Sequence, residues 1–86
     1  MNICYLVMVT RTPGFTDHAA AEHVRFLDDV RARDQLLITG GFTDNSGGAY
    51  VLHNVADRDA AQAIVDADPL LVLGGATATV HEWSTR

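Results

Sequence analysis

Residues 2–10 read NICYLVMVT, with apolar side chains on both alternating sets: Ile3, Tyr5, Val7 and Val9 on one, Cys4, Leu6 and Met8 on the other. Period-two placement predicts a strand, and two apolar faces predict that both are covered. Arg11-Thr12-Pro13-Gly14 breaks the strand. From residue 17 to 33 the period changes, because Ala19, Ala20, Phe26, Leu27 and Val30 recur at steps of three and four. That is the buried stripe of a helix, with Thr16 or Asp17 as its N-cap. Residues 35–43, QLLITGGFT, predict a second strand, residues 44–48 a turn by composition, and residues 49–55, AYVLHNV, a third strand that completes a hairpin. Asp57 caps a second helix over residues 57–67, with Ala60, Ala61, Ile64 and Ala67 as its stripe. Asp68-Pro69 stops it, because the residue before a proline is pushed out of the α region. Residues 70–75 are read as an apolar connector and residues 76–83 as a fourth strand.

The order βαββαβ predicts a ferredoxin-like α+β sandwich, one antiparallel four-stranded sheet with both helices on one face, as a single domain over residues 1–86. Such a fold leaves the second sheet face bare, yet the first strand is apolar on both sides and Leu36, Leu37 and Ile38 follow one another in the second. Large bare apolar faces are rarely left in water, so the pattern predicts a homodimer packed sheet against sheet.

Composition narrows the function. The net charge is −5, there is no lysine, and no basic cluster is visible, which disfavours nucleic acid and anionic membranes as partners. Without lysine, Schiff-base chemistry and the lysine-bearing phosphate loop are excluded. A lone cysteine, Cys4, forms neither an intrachain disulfide nor a multi-cysteine zinc site. No signal peptide or membrane span is legible, so the expected location is the cytoplasm.

His23 is the residue that stands out. It lies three or four positions from Ala20, Ala19, Phe26 and Leu27, so a helix burying those residues turns an imidazole inward as well. Two readings stand for it, a packed core histidine and a general base. The outward face carries Glu22, Arg25, Asp28, Asp29 and Arg33, where Arg25/Asp29 and Asp29/Arg33 are spaced as exposed ion pairs worth only ~0.2–0.5 kcal/mol each. His18 is five residues from His23 rather than four, and His53 and His81 specify no ligand set, so no metal is expected. Gly40-Gly41 and Gly74-Gly75 lack the strand and helix context of a dinucleotide site. Arg11 and Thr39 are candidate substrate contacts, with a surface charge and a cross-strand hydroxyl as the plainer accounts. Tyr5, Phe42, Tyr50 and Trp83 are read as core or dimer contacts, and Cys4 as inert.

The first strand YLVMV, the Pro13-Gly14 turn, the helix carrying HVRFL, the segment LLITGG, the second helix running into Asp68-Pro69 and the tryptophan of the last strand come in an order and spacing that resembles the YCII-related (YciI-like) family over essentially the whole chain. The resemblance implies a ferredoxin-like dimer akin to dimeric α+β barrels such as muconolactone isomerase, with a proposed active-site dyad mapping onto His23 and Asp68. The chain departs from the family's pattern at Asp34, where a glycine is usual, at Gly41, where proline is frequent, and at Leu70, where an aromatic residue commonly follows Asp-Pro. Chemistry adds to the case for Asp68. Asp66 and Asp68 sit at the C-terminal end of a helix, where the dipole disfavours carboxylates, and such local violations point to function. For Asp68 a turn-capping role stands beside the catalytic one, and Asp66 reads as a solvated helix end. The family includes a dehydrochlorinase acting on a chlorinated hydroxyhydroquinone, which implies a lyase or isomerase working on a small cyclic molecule without cofactor. A non-catalytic ligand-binding or accessory dimer and a cofactor-free monooxygenase or cyclase are the alternatives.

Overall fold

The computed structural model describes residues 2–86. Its elements are β1 (Asn2–Arg11), α1 (Asp17–Ala32), β2 (Leu36–Gly41), β3 (Gly47–Leu52), α2 (Arg58–Asp66), α3 (Pro69–Val72) and β4 (Ala76–Thr85). The strands form one antiparallel sheet in the order β2-β3-β1-β4, the ferredoxin-like arrangement. β1 is bonded on both sides, Tyr5 standing opposite Leu52 of β3 and Glu82 of β4, and residues 3–9 present apolar side chains to both faces of the sheet.

Both long helices lie on the face that carries Tyr5, Val7, Val9, Tyr50, Leu52 and Val80. These pack with Ala19, Leu27 and Val30 of α1 and Ala61 and Val65 of α2 in one continuous core. On the opposite face Cys4 and Val51 are buried, while Ile38 is 62% exposed and Trp83 46% exposed. No helix of the described residues is long and apolar enough to cross a membrane.

Thr16 caps α1, its hydroxyl accepting from the Ala19 amide at 3.0 Å, and Asp57 caps α2, accepting from Ala60 at 2.8 Å. On the solvated side of α1 the ion pairs are Glu22–Arg25 at 3.5 Å and Asp28–Arg31 at 3.9 Å, not Arg25/Asp29 or Asp29/Arg33. In both observed pairs the acid precedes the base, the order that agrees with the helix dipole. In α2 the inward residue of the last turn is the fully buried Val65, whereas Ala67 is the exposed C-cap.

Two boundaries differ from the sequence reading for physical reasons. β3 begins at Gly47 rather than at residue 49, and Gly47 and Gly48 pair with Thr10 and Val9 of β1. A Cβ on Gly48 would lie 2.4 Å from the Gly40 carbonyl oxygen, so these glycines permit close strand approach rather than marking a turn. The connector after Asp68 holds the short helix α3. Pro69 is suited to its first turn, where a missing amide costs nothing, and Asp68 is its N-cap. Asp34, which ends α1, adopts a left-handed conformation with φ 58°, the geometry that favours glycine there.

Candidate active site

The α1 stripe directs His23 toward the space between α1, α3 and the sheet, and its side chain is 18% exposed. The ring stacks on Phe26 with centroids 6.4 Å apart and leans against Tyr50 at 6.1 Å. Its Nδ1 lies 2.9 Å from each carboxylate oxygen of Asp68. The two residues are thus in direct contact across 45 positions of sequence.

Asp68 has no exposed surface. Its carboxylate accepts from the Leu70 amide at 2.9 Å, from the Tyr50 hydroxyl at 3.2 Å and from His23 Nδ1. Capping of α3 and contact with His23 therefore coexist, Oδ1 serving the turn of α3 and both oxygens facing the imidazole. An ionised carboxylate only accepts, so three donors around it satisfy a charge that burial alone would make costly. The same logic puts the shared proton on Nδ1, which leaves Nε2 with the lone pair in the neutral imidazole. Among the described residues Nε2 has no hydrogen-bond partner.

A cavity of about 310 Å³ opens beside His23, at the small end of ligand pockets. Arg11, Phe15, His23, Thr39 and Tyr50 line it together with the backbone of Gly40, Gly41, Gly47 and Gly48, and no aspartate or glutamate does. Asp68 stands behind His23 rather than on the wall. Three of the four candidate residues, His23, Arg11 and Thr39, thus share one cavity, and the fourth holds the histidine. Thr39 hydroxyl donates to the Ala49 carbonyl at 3.4 Å, which leaves its lone pairs to the cavity.

Tyr50 is the residue that sequence reasoning left among the core contacts. Its burial, and then the neighbouring charge of Asp68, push the phenol far above its usual range, so the hydroxyl stays a proton donor to the carboxylate. The available signal was its place on the helix-facing parity of β3: a tyrosine buried there must find a partner for its hydroxyl. The other histidines lie apart. His53 Nε2 is buried without a hydrogen-bond partner, 3.8 Å from Asp34, and His81 sits 3.4 Å from Thr79. Among the described residues no three of His, Cys, Asp and Glu converge as a metal set. Asp66 is tied to Gln62 on the exposed end of α2.

The model of the YCII-related domain matches residues 3–84. Protein YjpA of Bacillus subtilis (strain 168) is 38% identical over 82 residues, covering 95% of each chain. Among solved structures, the 5-chloro-2-hydroxyhydroquinone dehydrochlorinase TftG of Burkholderia phenoliruptrix AC1100, in complex with 2,5-dihydroxybenzoquinone, superposes with a TM-score of 0.76 at 17% identity over 96% of this chain and 95% of that one. MtbAldR superposes with a TM-score of 0.60 at 11% identity over 96% of this chain and 55% of that longer one. At such identities the likeness to the two structures is one of fold. The family match over nearly the whole chain and the bacterial relative lead to one conclusion: this chain belongs to the YCII-related domain family.

Proposed function

We propose that this protein is a cofactor-free lyase or isomerase in which His23 is the general base and Asp68 orients it. The observation that carries the reading is the 2.9 Å contact between His23 Nδ1 and the buried Asp68, with the imidazole on the cavity wall and Nε2 unpartnered. With Nδ1–H held by the carboxylate, Nε2 takes a proton from a carbon acid. The electron pair left on that carbon forms a double bond as a leaving group departs, or the proton returns to a neighbouring carbon. Asp68 stabilises the imidazolium formed in between. Arg11 and Thr39 contact the substrate. A cavity of about 310 Å³ suits a single small ring, and the similarly folded TftG is a dehydrochlorinase of such a molecule.

The test compares wild type, His23→Gln and Asp68→Asn in elimination and isomerisation assays on small cyclic substrates. The expected result is turnover lost in the first and reduced by about a hundredfold or more in the second, as for removal of general acid–base function. Unchanged turnover in folded His23→Gln ends the proposal, and a lower melting temperature with no activity to lose would make the dyad a structural element of a binding protein.

The same reading includes a homodimer packed through the open sheet face, where Leu6, Met8, Val51, Ile38 and Trp83 lie together. Sedimentation at micromolar concentration is expected to give twice the chain mass of 9.3 kDa, and a stable monomer overturns it.

A further inference from the structure

We propose that the ligand of this cavity is a small organic anion, a single-ring carboxylate whose charged group docks on Arg11. The inference rests on the cavity being the reaction site and deepens that reading. In an acidic chain, repulsion from surrounding carboxylates ordinarily excludes an anion, and arginines are ordinarily neutralised by them. Arg25 and Arg31 are, by Glu22 and Asp28.

Arg11 is set apart by its surroundings. Like Arg33, Arg58 and Arg86 it has no carboxylate within ion-pair distance among the described residues. Its guanidinium lies 4.0 Å over the Phe15 ring, a contact that limits the side chain's freedom while leaving the N–H fork along its edge available. It lines a cavity whose other walls are apolar side chains, glycine backbone, His23, Thr39 and Tyr50, with no acid among them. The carboxylate held behind His23, Asp68, already accepts from His23, Tyr50 and Leu70. A planar carboxylate matches a guanidinium fork bidentately. The bound ring then meets Phe15, Val24 and Leu27, and the glycines let it lie close to the sheet. Charge at one end and apolar surface at the other orient the molecule with respect to His23.

The experiment is an NMR titration of the full chain with benzoate and with its neutral isostere benzamide, in wild type, Arg11→Gln, Arg11→Lys and His23→Gln. Arg11 is on the surface, so these variants are expected to fold, and the spectra report that directly. Benzoate is expected to bind about tenfold more tightly than benzamide, as for a hydrogen bond to a charged partner, and to shift resonances of Phe15, His23 and Gly40. The preference is expected to vanish in Arg11→Gln, to survive in part in Arg11→Lys and to shrink with added salt. In His23→Gln it is expected to persist although turnover fails, which separates the anion site from the general base. Equal affinities in wild type, a preference that survives Arg11→Gln, or benzoate shifts confined to another surface overturn the proposal.

Discussion

Replacing Tyr50 by phenylalanine removes one oxygen and leaves the ring in the core, so its effect isolates the hydroxyl's bond to Asp68. That bond is 3.2 Å, and Oδ2 keeps its 2.9 Å contact with His23 Nδ1. The cost at neutral pH therefore falls at the low end for a hydrogen bond to a charged group, about 1.5 kcal/mol. The alkaline limb carries the sharper prediction. The folded phenol is held far above its usual range, first by burial and then by Asp68, whereas in the unfolded chain it titrates near the ordinary tyrosine value. Tyr50 thus contributes fully below about pH 10. Above it the unfolded wild type releases a proton that the native state keeps, a loss of about 1.4 kcal/mol by about pH 11 that the phenylalanine variant does not suffer. Tyr5, also shifted upward, is present in both proteins and cancels in the comparison. Urea unfolding followed by circular dichroism should therefore show a wild-type advantage that closes near pH 11. A gap that stays constant from about pH 7 to about pH 11, or no gap at neutral pH, refutes the assignment of this hydroxyl.

Three further substitutions test the backbone at the end of α1 and between β2 and β3. Asp34→Gly relieves a left-handed residue at a cost of about 1 kcal/mol and forfeits the Asn54 bond to Oδ2 at 3.2 Å, while the 2.8 Å bond to the Asp34 carbonyl survives. The expected outcome is a melting temperature higher by about 2–4 °C, and a fall contradicts it. Gly48→Ala drives a Cβ against the Gly40 carbonyl oxygen at 2.4 Å, whereas Gly40→Ala meets nothing within 4 Å. The first should destabilise by about 1–3 kcal/mol as β2 is forced from β3 and the second should change thermal stability little, a contrast readable in parallel thermal melts.

How much of this was legible beforehand varies with the range of the interaction. The α1 stripe placed His23 inward because helical period and burial are local properties, and the period-two placement of β1 announced a strand, whereas cover for its second apolar face belongs to the proposed dimer. The element order then implied the sheet, since few arrangements satisfy βαββαβ with short connections. Gly47-Gly48 was misread because composition does not distinguish a turn from two strands that touch backbone to backbone. Asp68 violated the dipole of α2 only because α3 was taken for a connector: with Pro69 in its first turn, the same carboxylate is a correct N-cap.

What the sequence determined by itself is therefore the fold and the inward turn of one histidine, because both follow from periodicities of a few residues. The tertiary structure decided that His23 meets Asp68, that Tyr50 is the third group on that carboxylate, and that Arg11 and Thr39 open on the same cavity. Those are contacts between elements separated by tens of residues. Nothing in a period of two or 3.6 encodes the distance between two helices or the direction of a buried hydroxyl, which packing alone sets.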